Sequence, residues 1–358
     1  MGRWIGVIVS AAVVAAGCTT AGPRALRTGR VAYNEVVNQT NNEQLLLNLV
    51  RLRYRDTPLF LGVAGISTQY ALEASAGADI SGSDGEGFES YGGSLGIGYA
   101  EKPTISFSPL QGEKYVTEML SPISAETIAL LFHSGWNFDR IARCVVQGMN
   151  GVLNAPNASS PTPSAAPRYR DFQRATEQLR ALQKRAQLSL GLSVEDGEPV
   201  ITLFVAPDAV DSPELADAMT TFGMPAGRSS YRIVPGLWRV QEEVISANTR
   251  SLMGVLYYLS HGVEVPPAHE QAGLVTVTRT EAGDRFDWTE VTGDLLHIRW
   301  SASPPRNAAV KVLYRGVWFY VSDADLDSKS TFIMLSELFA LQAGSVPASS
   351  PVLTLPLG

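Results

Sequence analysis

The sequence has few of the residues that usually carry chemistry. It holds two cysteines and four histidines in 358 residues, which excludes a disulfide scaffold and a zinc site built on cysteine. Charged residues make up only 18% of the chain, and the formal net charge is -7. A protein that wraps nucleic acid needs a basic stripe, and none occurs here. The chain also lacks a phosphate loop of the Walker type and a dinucleotide-binding fingerprint after a strand.

Apolar residues are abundant, at 45% of the chain, and this composition is typical of a globular protein. A length of 358 residues is near twice the common domain size, so two domains with separate cores are expected. No internal repeat of solenoid period is visible. The grouped order of helical and strand patterns predicts an α+β fold instead of a doubly wound sheet.

The amino terminus carries the most specific signal. Arg3 is the only charge before Arg24, and it precedes an apolar run over residues 4–16. This run is shorter than the roughly 20 residues of a membrane-spanning helix, and it ends in small residues. The pattern therefore predicts a secretory signal peptide and not an anchor helix.

The end of this segment, Ala15-Ala16-Gly17-Cys18, resembles the lipobox of bacterial lipoproteins. That resemblance implies cleavage of residues 1–17, a diacylglyceryl thioether on Cys18 and an N-acyl chain such as palmitate on the new amino terminus. Thr19 is not the aspartate that retains many such lipoproteins at the inner membrane. The resemblance thus implies a lipid anchor at the periplasmic face of a Gram-negative outer membrane. The alternative is a plain signal peptide followed by an incidental cysteine.

Two internal segments, residues 42–51 and 314–320, resemble a family of proteobacterial lipoproteins. This second resemblance implies a location and no activity.

A segment rich in proline, residues 154–167, predicts an exposed linker because it has four prolines and no charge or large apolar side chain. The prediction is a tether over residues 18–29, an N-terminal domain over 30–153 and a mixed α+β domain over 168–358.

The N-terminal domain is predicted to contain a helix, a long hairpin and further helices. A helical apolar face begins near Asn42, and Pro58 ends that helix. Three arginines lie in its last turns, where a positive charge interacts favourably with the negative end of the helix dipole: Arg51, Arg53 and Arg55. Helices are expected again over 112–120, 124–133 with Ser124 as N-cap, and 138–150 with Asn137 as cap.

The segment 59–110 alternates with a period of two and predicts two long antiparallel strands, each with one apolar and one polar face. Such alternation resembles that of export channels whose protomers share one barrel, and it would make the protein a homo-oligomer through this hairpin. One hairpin alone would leave unpaired edges in lipid. The alternative is a soluble hairpin that packs on the flanking helices. Against insertion, Glu101 falls on the apolar parity and Pro103 interrupts the ladder.

The C-terminal domain is predicted to mix helices and strands. The expected helices cover 171–186, a short segment that Ser212 caps and Pro213 starts, 241–260 and 330–342. The expected strands cover 188–194, 199–205, 274–279, 295–302, 309–314, 317–322 and 352–357.

Two motifs invite a chemical interpretation. Gly92-Gly93-Ser94-Leu95-Gly96 matches the string of hydrolase nucleophile elbows, but it lies inside an alternating strand with no helix after it. Asp323, Asp325 and Asp327 resemble the start of a calcium loop and are weak metal candidates. Ser328 and Met334 stand where that loop needs glycine and glutamate, so a turn before a helix is the favoured interpretation.

The remaining candidates favour structural interpretations. His133, His261, His269 and His297 have no metalloprotease spacing, and a surface pair of His261 and His269 is expected. Cys144 lies in an apolar helical stretch and is expected in the core. Part of an aromatic set is also expected in the core and part on an interaction surface: Tyr314, Trp318, Phe319 and Tyr320.

Two functional hypotheses follow. The first is a lipid-anchored envelope protein with a structural, assembly or export-related role, with other envelope proteins as partners, no nucleic acid partner, no cofactor and no catalytic activity. The second is a periplasmic module that binds or hydrolyses a polymer such as peptidoglycan or polysaccharide.

Overall fold

The computed structural model describes residues 31–81, 90–195, 197–236, 238 and 243–343. Cys18 and the strand predicted over 352–357 lie outside these residues. The described chain clusters into two compact units. One is a hairpin unit, Leu59–Tyr115, and the other is a larger unit formed by the chain on both sides of it.

The hairpin unit contains the two predicted long strands. Strand β1, Leu61–Ser81, pairs antiparallel with β2, Ser90–Pro109, from Leu61 opposite Pro109 to Ser81 opposite Ser90. A register shift lies between Val63 and Gly65. Beyond it Ile66 lies opposite Ile105 and Leu72 opposite Tyr99, so the apolar positions of both strands fall on one face. The prediction of a long hairpin is confirmed.

The larger unit contains a six-stranded sheet of order β4-β3-β8-β7-β6-β5. Its strands are β3 Val146–Met149, β4 Val152–Leu153, β5 Leu188–Glu195, β6 Glu198–Val205, β7 Ser230–Pro235 and β8 Val244–Thr249. Neighbours pair antiparallel except β7 and β8, which are parallel. A mixed sheet with helices grouped around it confirms the α+β class.

A smaller sheet of order β10-β11-β9 belongs to the same unit. Its strands are β9 Arg299–Ser301, β10 Ala308–Tyr314 and β11 Val317–Ser322. Arg315 and Gly316, at φ 48° and 81°, form the two-residue turn between β10 and β11. Two positive φ angles are what a tight hairpin turn requires, and this predicted hairpin is confirmed.

Ten α-helices are described, and several begin at a serine whose hydroxyl accepts a hydrogen bond from a backbone N–H of the first turn. Ser124 and Ser212, both expected from the sequence, cap in this way, as does Ser251. The helices are α1 over residues 31–53, α2 Glu113–Leu120, α3 Ala125–His133, α4 Phe138–Val145, α5 Arg170–Lys184, α6 Pro213–Thr221, α7 Leu252–Ser260, α8 Pro267–Gln271, α9 Thr289–Thr292 and α10 Leu326–Ala343.

Some element predictions are wrong. The helix expected over 241–260 contains β8 and then α7, because Val244 and Ile245 are β-branched residues buried in the sheet and the second segment has its own cap. The helix expected over 138–150 ends at Val145, where the chain enters β3. Residues 274–279 form no strand of the sheets, and only Arg299–Ser301 of the strand expected over 295–302 is one.

The segment 154–167 differs from the predicted exposed linker. It begins with Asn154, whose side-chain amide donates to the carbonyls of Arg143 (2.9 Å) and Val146 (2.6 Å), and it includes a 3-10 turn, Pro156–Ser159. Thr162 is 2% exposed. Small uncharged side chains and proline allow a coil to pack inside a unit as readily as they allow a linker. Strands β3 and β8, from opposite sides of this segment, pair in one sheet, so no domain boundary falls here.

Candidate functional site

A polar cavity of about 350 Å³ lies in the larger unit where the end of α1 meets the chain around α8 and α9. Eleven of its lining residues carry polar side chains: Arg53, His261, Glu264, Glu270, Thr278, Arg285, Asp287, Trp288, Thr289, Thr292 and His297. Its size lies within the range of small-molecule sites.

Arg53 projects into the interior from the last turn of α1 and is 5% exposed. Its Nη1 donates to Thr162 Oγ1 (3.0 Å) and to the carbonyl of Thr276 (3.2 Å), while its buried Nε has no partner. Burial lowers the pKa of Arg53 to about 10, and the nearby charge of Glu270 opposes that shift. No carboxylate of the described residues lies within ion-pair distance of Arg53, so its charge is buried without a direct counter-ion.

His261 follows α7 and is 3% exposed, with its ring stacked on Trp288 at a centroid distance of 4.0 Å. Its Nε2 lies 3.1 Å from the carbonyl of Ala158, so this nitrogen carries the proton and donates. Nδ1 is then an acceptor, and it is buried without a partner. Burial, helped by the charge of Arg53, lowers the pKa of His261 to about 3, so the ring is neutral near pH 7.

The expected surface pair of His261 and His269 is therefore wrong, because His261 is a core residue. His269 instead makes a 2.7 Å hydrogen bond between its Nδ1 and the hydroxyl of Tyr54. His133 is exposed.

Two glutamates of the lining bond to basic side chains. Glu264 Oε1 lies 2.6 Å from His297 Nε2, and this hydrogen bond lowers the pKa of Glu264. Glu270 Oε1 lies 2.7 Å from Arg285 Nη2. Both carboxylates thus bond to basic side chains of the lining. Among the described lining residues, the buried side-chain atoms without a hydrogen-bond partner are Nε of Arg53, a donor, and Nδ1 of His261, an acceptor.

The three aspartates proposed as weak metal ligands have separate partners. Asp323 pairs with Lys329 (2.7 Å) and Asp327 with Arg140 (2.7 Å). Asp325 accepts from the N–H (3.0 Å) and the hydroxyl (2.8 Å) of Ser328, and its carboxylate thereby caps the N-terminus of α10. The favoured interpretation, a turn before a helix, is confirmed for Asp325. Among the described residues no cluster of histidine, cysteine or acidic side chains is arranged to hold a metal ion.

The other sequence candidates have structural positions. Ser94 lies within β2 opposite Gly77, without the strand, turn and helix of a nucleophile elbow. Cys144 is fully buried, as expected, and burial raises the pKa of its thiol to about 11. Phe319 is fully buried and belongs to the core, whereas Tyr314 is half-buried and packs edge-on against Tyr54.

A second cavity, of about 230 Å³, lies between helices α3 and α4 and strands β5 to β8. Among the described residues that line it, none carries a charge. It offers apolar contact and no donor or acceptor comparable to those of Arg53 and His261.

Arg53 is the residue of the polar cavity whose role the sequence interpretation missed. It was assigned to the helix dipole together with Arg51 and Arg55. Its spacing was informative, because it follows Leu46 by seven residues and Leu49 by four, both on the buried face of α1. An arginine on an apolar helical face indicates a buried cation that needs a partner.

No protein-family model matches the chain, and no curated protein or solved structure matches it either. Within the part of the chain that the structure describes, none of the helices has both the length and the apolar character needed to cross a bilayer.

Proposed function

We propose that this protein is a lipid-anchored component of the bacterial cell envelope, attached through Cys18 to the periplasmic face of the outer membrane. Its role would be structural, in assembly or in export, and the proposal assigns it no catalytic activity. The lipobox-like residues before Cys18 support the location. The long hairpin of β1 and β2 is the observation that supports the proposed structural, assembly or export role.

This hairpin has 21 residues in β1 and 20 in β2, and at about 3.3 Å per residue it extends for about 70 Å. In the described chain its sheet has only these two strands. Each strand therefore has an outer edge of N–H and C=O groups with no partner strand. A two-stranded sheet alone is marginally stable in water, and unpaired edges favour pairing with another chain. Association of several copies through β1 and β2 would satisfy these groups.

The location is tested by membrane fractionation of the wild type and of Cys18→Ser. We expect the wild type to sediment with outer membranes and Cys18→Ser to be soluble in the periplasm, because the acyl chains supply the attachment. Cys144→Ser is the matched control, since Cys144 is buried away from solvent and its substitution should leave sedimentation unchanged. Equal sedimentation of Cys18→Ser and wild type would contradict the lipid anchor.

The assembly role is tested by native sizing in detergent. Because Ile66 and Ile105 lie directly opposite each other, residues 67–104 can be replaced by an Asn-Gly turn without a change of register. We expect the wild type to be oligomeric and the shortened protein monomeric. The larger unit is compact by itself, so its unfolding midpoint should not change, which serves as the control. A wild type that is monomeric in detergent would contradict assembly through the hairpin.

A second candidate function, a binding module, is favoured by the polar cavity. A hydrolase would need carboxylates free to act as acid and base. Glu264 is hydrogen-bonded to His297 and Glu270 to Arg285, so Asp287 is the one carboxylate of the described lining without a basic partner, whereas acid and base catalysis needs two. The unpartnered atoms of Arg53 and His261 support binding instead.

A further inference from the structure

We propose that the polar cavity binds a small carboxylic acid that also carries hydroxyl groups, such as a hydroxy acid or a uronic acid. Arg53 would hold the carboxylate and His261 a hydroxyl. This inference rests on the binding-module candidate and is independent of the lipid anchor.

The guanidinium of Arg53 has one edge occupied and one edge without a partner. Nη1 uses its two hydrogens on Thr162 and Thr276. The other edge consists of Nε and Nη2, and Nε is buried and unpartnered. Two parallel N–H groups on one edge match the two oxygens of a carboxylate. The edge left over is thus the one suited to bidentate recognition of a planar anion.

Arg53 is the arginine of the cavity that lacks a counter-ion among the described residues. Of the two arginines in the lining, Arg285 is paired with Glu270 at 2.7 Å. Glu264 is paired with His297, and Asp287 accepts from the N–H of Thr289 (2.9 Å). A buried cation without a counter-ion is unfavourable, and a bound carboxylate would supply the missing partner.

His261 adds a requirement for a donor. Its proton is on Nε2 because that atom faces the carbonyl of Ala158, so Nδ1 can only accept. A carboxylate has no hydrogen to offer this atom, whereas a hydroxyl group on the same ligand has one. The stacking of His261 on Trp288 fixes the ring, and with it the position of the acceptor. Arg53 and His261 together therefore select hydroxylated carboxylates.

The binding test uses the full chain in detergent, with titration calorimetry against lactate, gluconate and glucuronate. We expect at least one of these hydroxy acids to bind at least tenfold more tightly than acetate, which lacks the hydroxyl, and glucose, which lacks the carboxylate. Binding of none of the three would overturn the proposal. Tighter binding of inorganic phosphate would overturn it as well, in favour of a phosphorylated ligand.

Substitutions of Arg53 and His261 test whether the ligand binds in the polar cavity or elsewhere on the protein. Arg53→Lys keeps the charge but loses the bidentate edge, and His261→Gln keeps a donor near the Nε2 position but loses the acceptor. Each should weaken binding at least tenfold. The control is Arg185→Gln, an arginine outside the cavity whose Nη1 pairs with Glu214 at 2.9 Å, and it should bind like the wild type. Unchanged binding by both folded cavity variants would assign the ligand to another site. Lipid anchoring of Cys18 is measured separately by fractionation, so failure of one proposal leaves the other standing.

Discussion

Replacing Arg250 with methionine should reduce the free energy of unfolding of the larger unit by about 3–5 kcal/mol. Arg250 is fully buried and follows β8 directly. Its Nη1 donates to the carbonyls of Val146 (2.6 Å), Arg143 (3.0 Å) and Cys144 (3.2 Å). Its other nitrogens donate to the carbonyl of Asn154 and to the hydroxyl of Ser159 (2.9 Å).

The expected loss comes mainly from the carbonyl groups of Cys144 and Asn154, which methionine would leave buried without a donor, while those of Arg143 and Val146 keep the amide of Asn154. Methionine preserves much of the side-chain volume but offers no donor, and each such acceptor costs about 1–3 kcal/mol when its partner is removed. The guanidinium also lies 4.1 Å from the ring centre of Tyr258, a contact that methionine replaces only in part. Arg250→Lys should be intermediate, because one ammonium group cannot reach the acceptors on both sides.

The measurement is urea unfolding followed by tryptophan fluorescence on the full chain in detergent. Arg170→Met is the matched control, because Arg170 is exposed and its pair with Glu290, at 2.8 Å, is a surface contact. That change should alter the free energy of unfolding by less than about 1 kcal/mol. A similarly small effect of Arg250→Met would show that the carbonyl groups find other partners.

Arg250 also explains why the prediction of an exposed linker over residues 154–167 is wrong. The segment has a linker's composition, but it is held by an arginine about ninety positions away in the chain. Local composition contains no information on such a contact. The same limit applies to β8, which is separated from α7 by only two residues. The division between strand and helix depends on pairing with β3 and β7.

Prediction succeeded where the determining interactions are local. The β10 and β11 hairpin follows from alternation around Arg315-Gly316, and the caps at Ser124 and Ser212 follow from a hydroxyl before an apolar helix. The long hairpin was predictable for the same reason, since its alternation continues through two strands. In these cases neighbouring residues determine the structure.

The candidate site was predictable only in part. The four histidines were identified, yet the burial of His261 depends on Trp288 and Ala158, which are distant in sequence. Arg53 could be placed on the buried face of α1 from its spacing. Its partners, Thr162 and Thr276, belong to a segment interpreted as a linker and one interpreted as a strand. The cavity could therefore not be predicted from sequence patterns, because residues distant in the chain form it.

Acidification from pH 7.5 to 4.5 should destabilise the wild type by about 2–3 kcal/mol more than a variant that lacks the His261 imidazole. The folded protein holds the pKa of His261 at about 3, against 6.5 for an unperturbed histidine. Below pH 6.5 the unfolded chain therefore binds a proton that the folded chain does not. This contribution to stability is fully present above pH 6.5 and decreases by about 1.4 kcal/mol per pH unit until the folded protein titrates near pH 3.

His261→Gln is the comparison, because glutamine can donate to the carbonyl of Ala158 without titrating. The charges that act on His261 are those of Arg53 and Arg250, and both arginines stay protonated in this range. Other groups titrate in both proteins, and their contributions cancel in the difference. They include the carboxylates of Glu264, bonded to His297, and of Asp294, bonded to Arg143 (2.7 Å), whose pKa values are lowered. Urea unfolding at half-unit pH steps should give curves that converge as the pH falls, because the wild type loses its advantage over His261→Gln. Curves that stay parallel from pH 7.5 to 4.5 would mean that His261 takes up its proton over the same pH range in the folded and unfolded protein, and Nδ1 would then cease to be an acceptor at acidic pH.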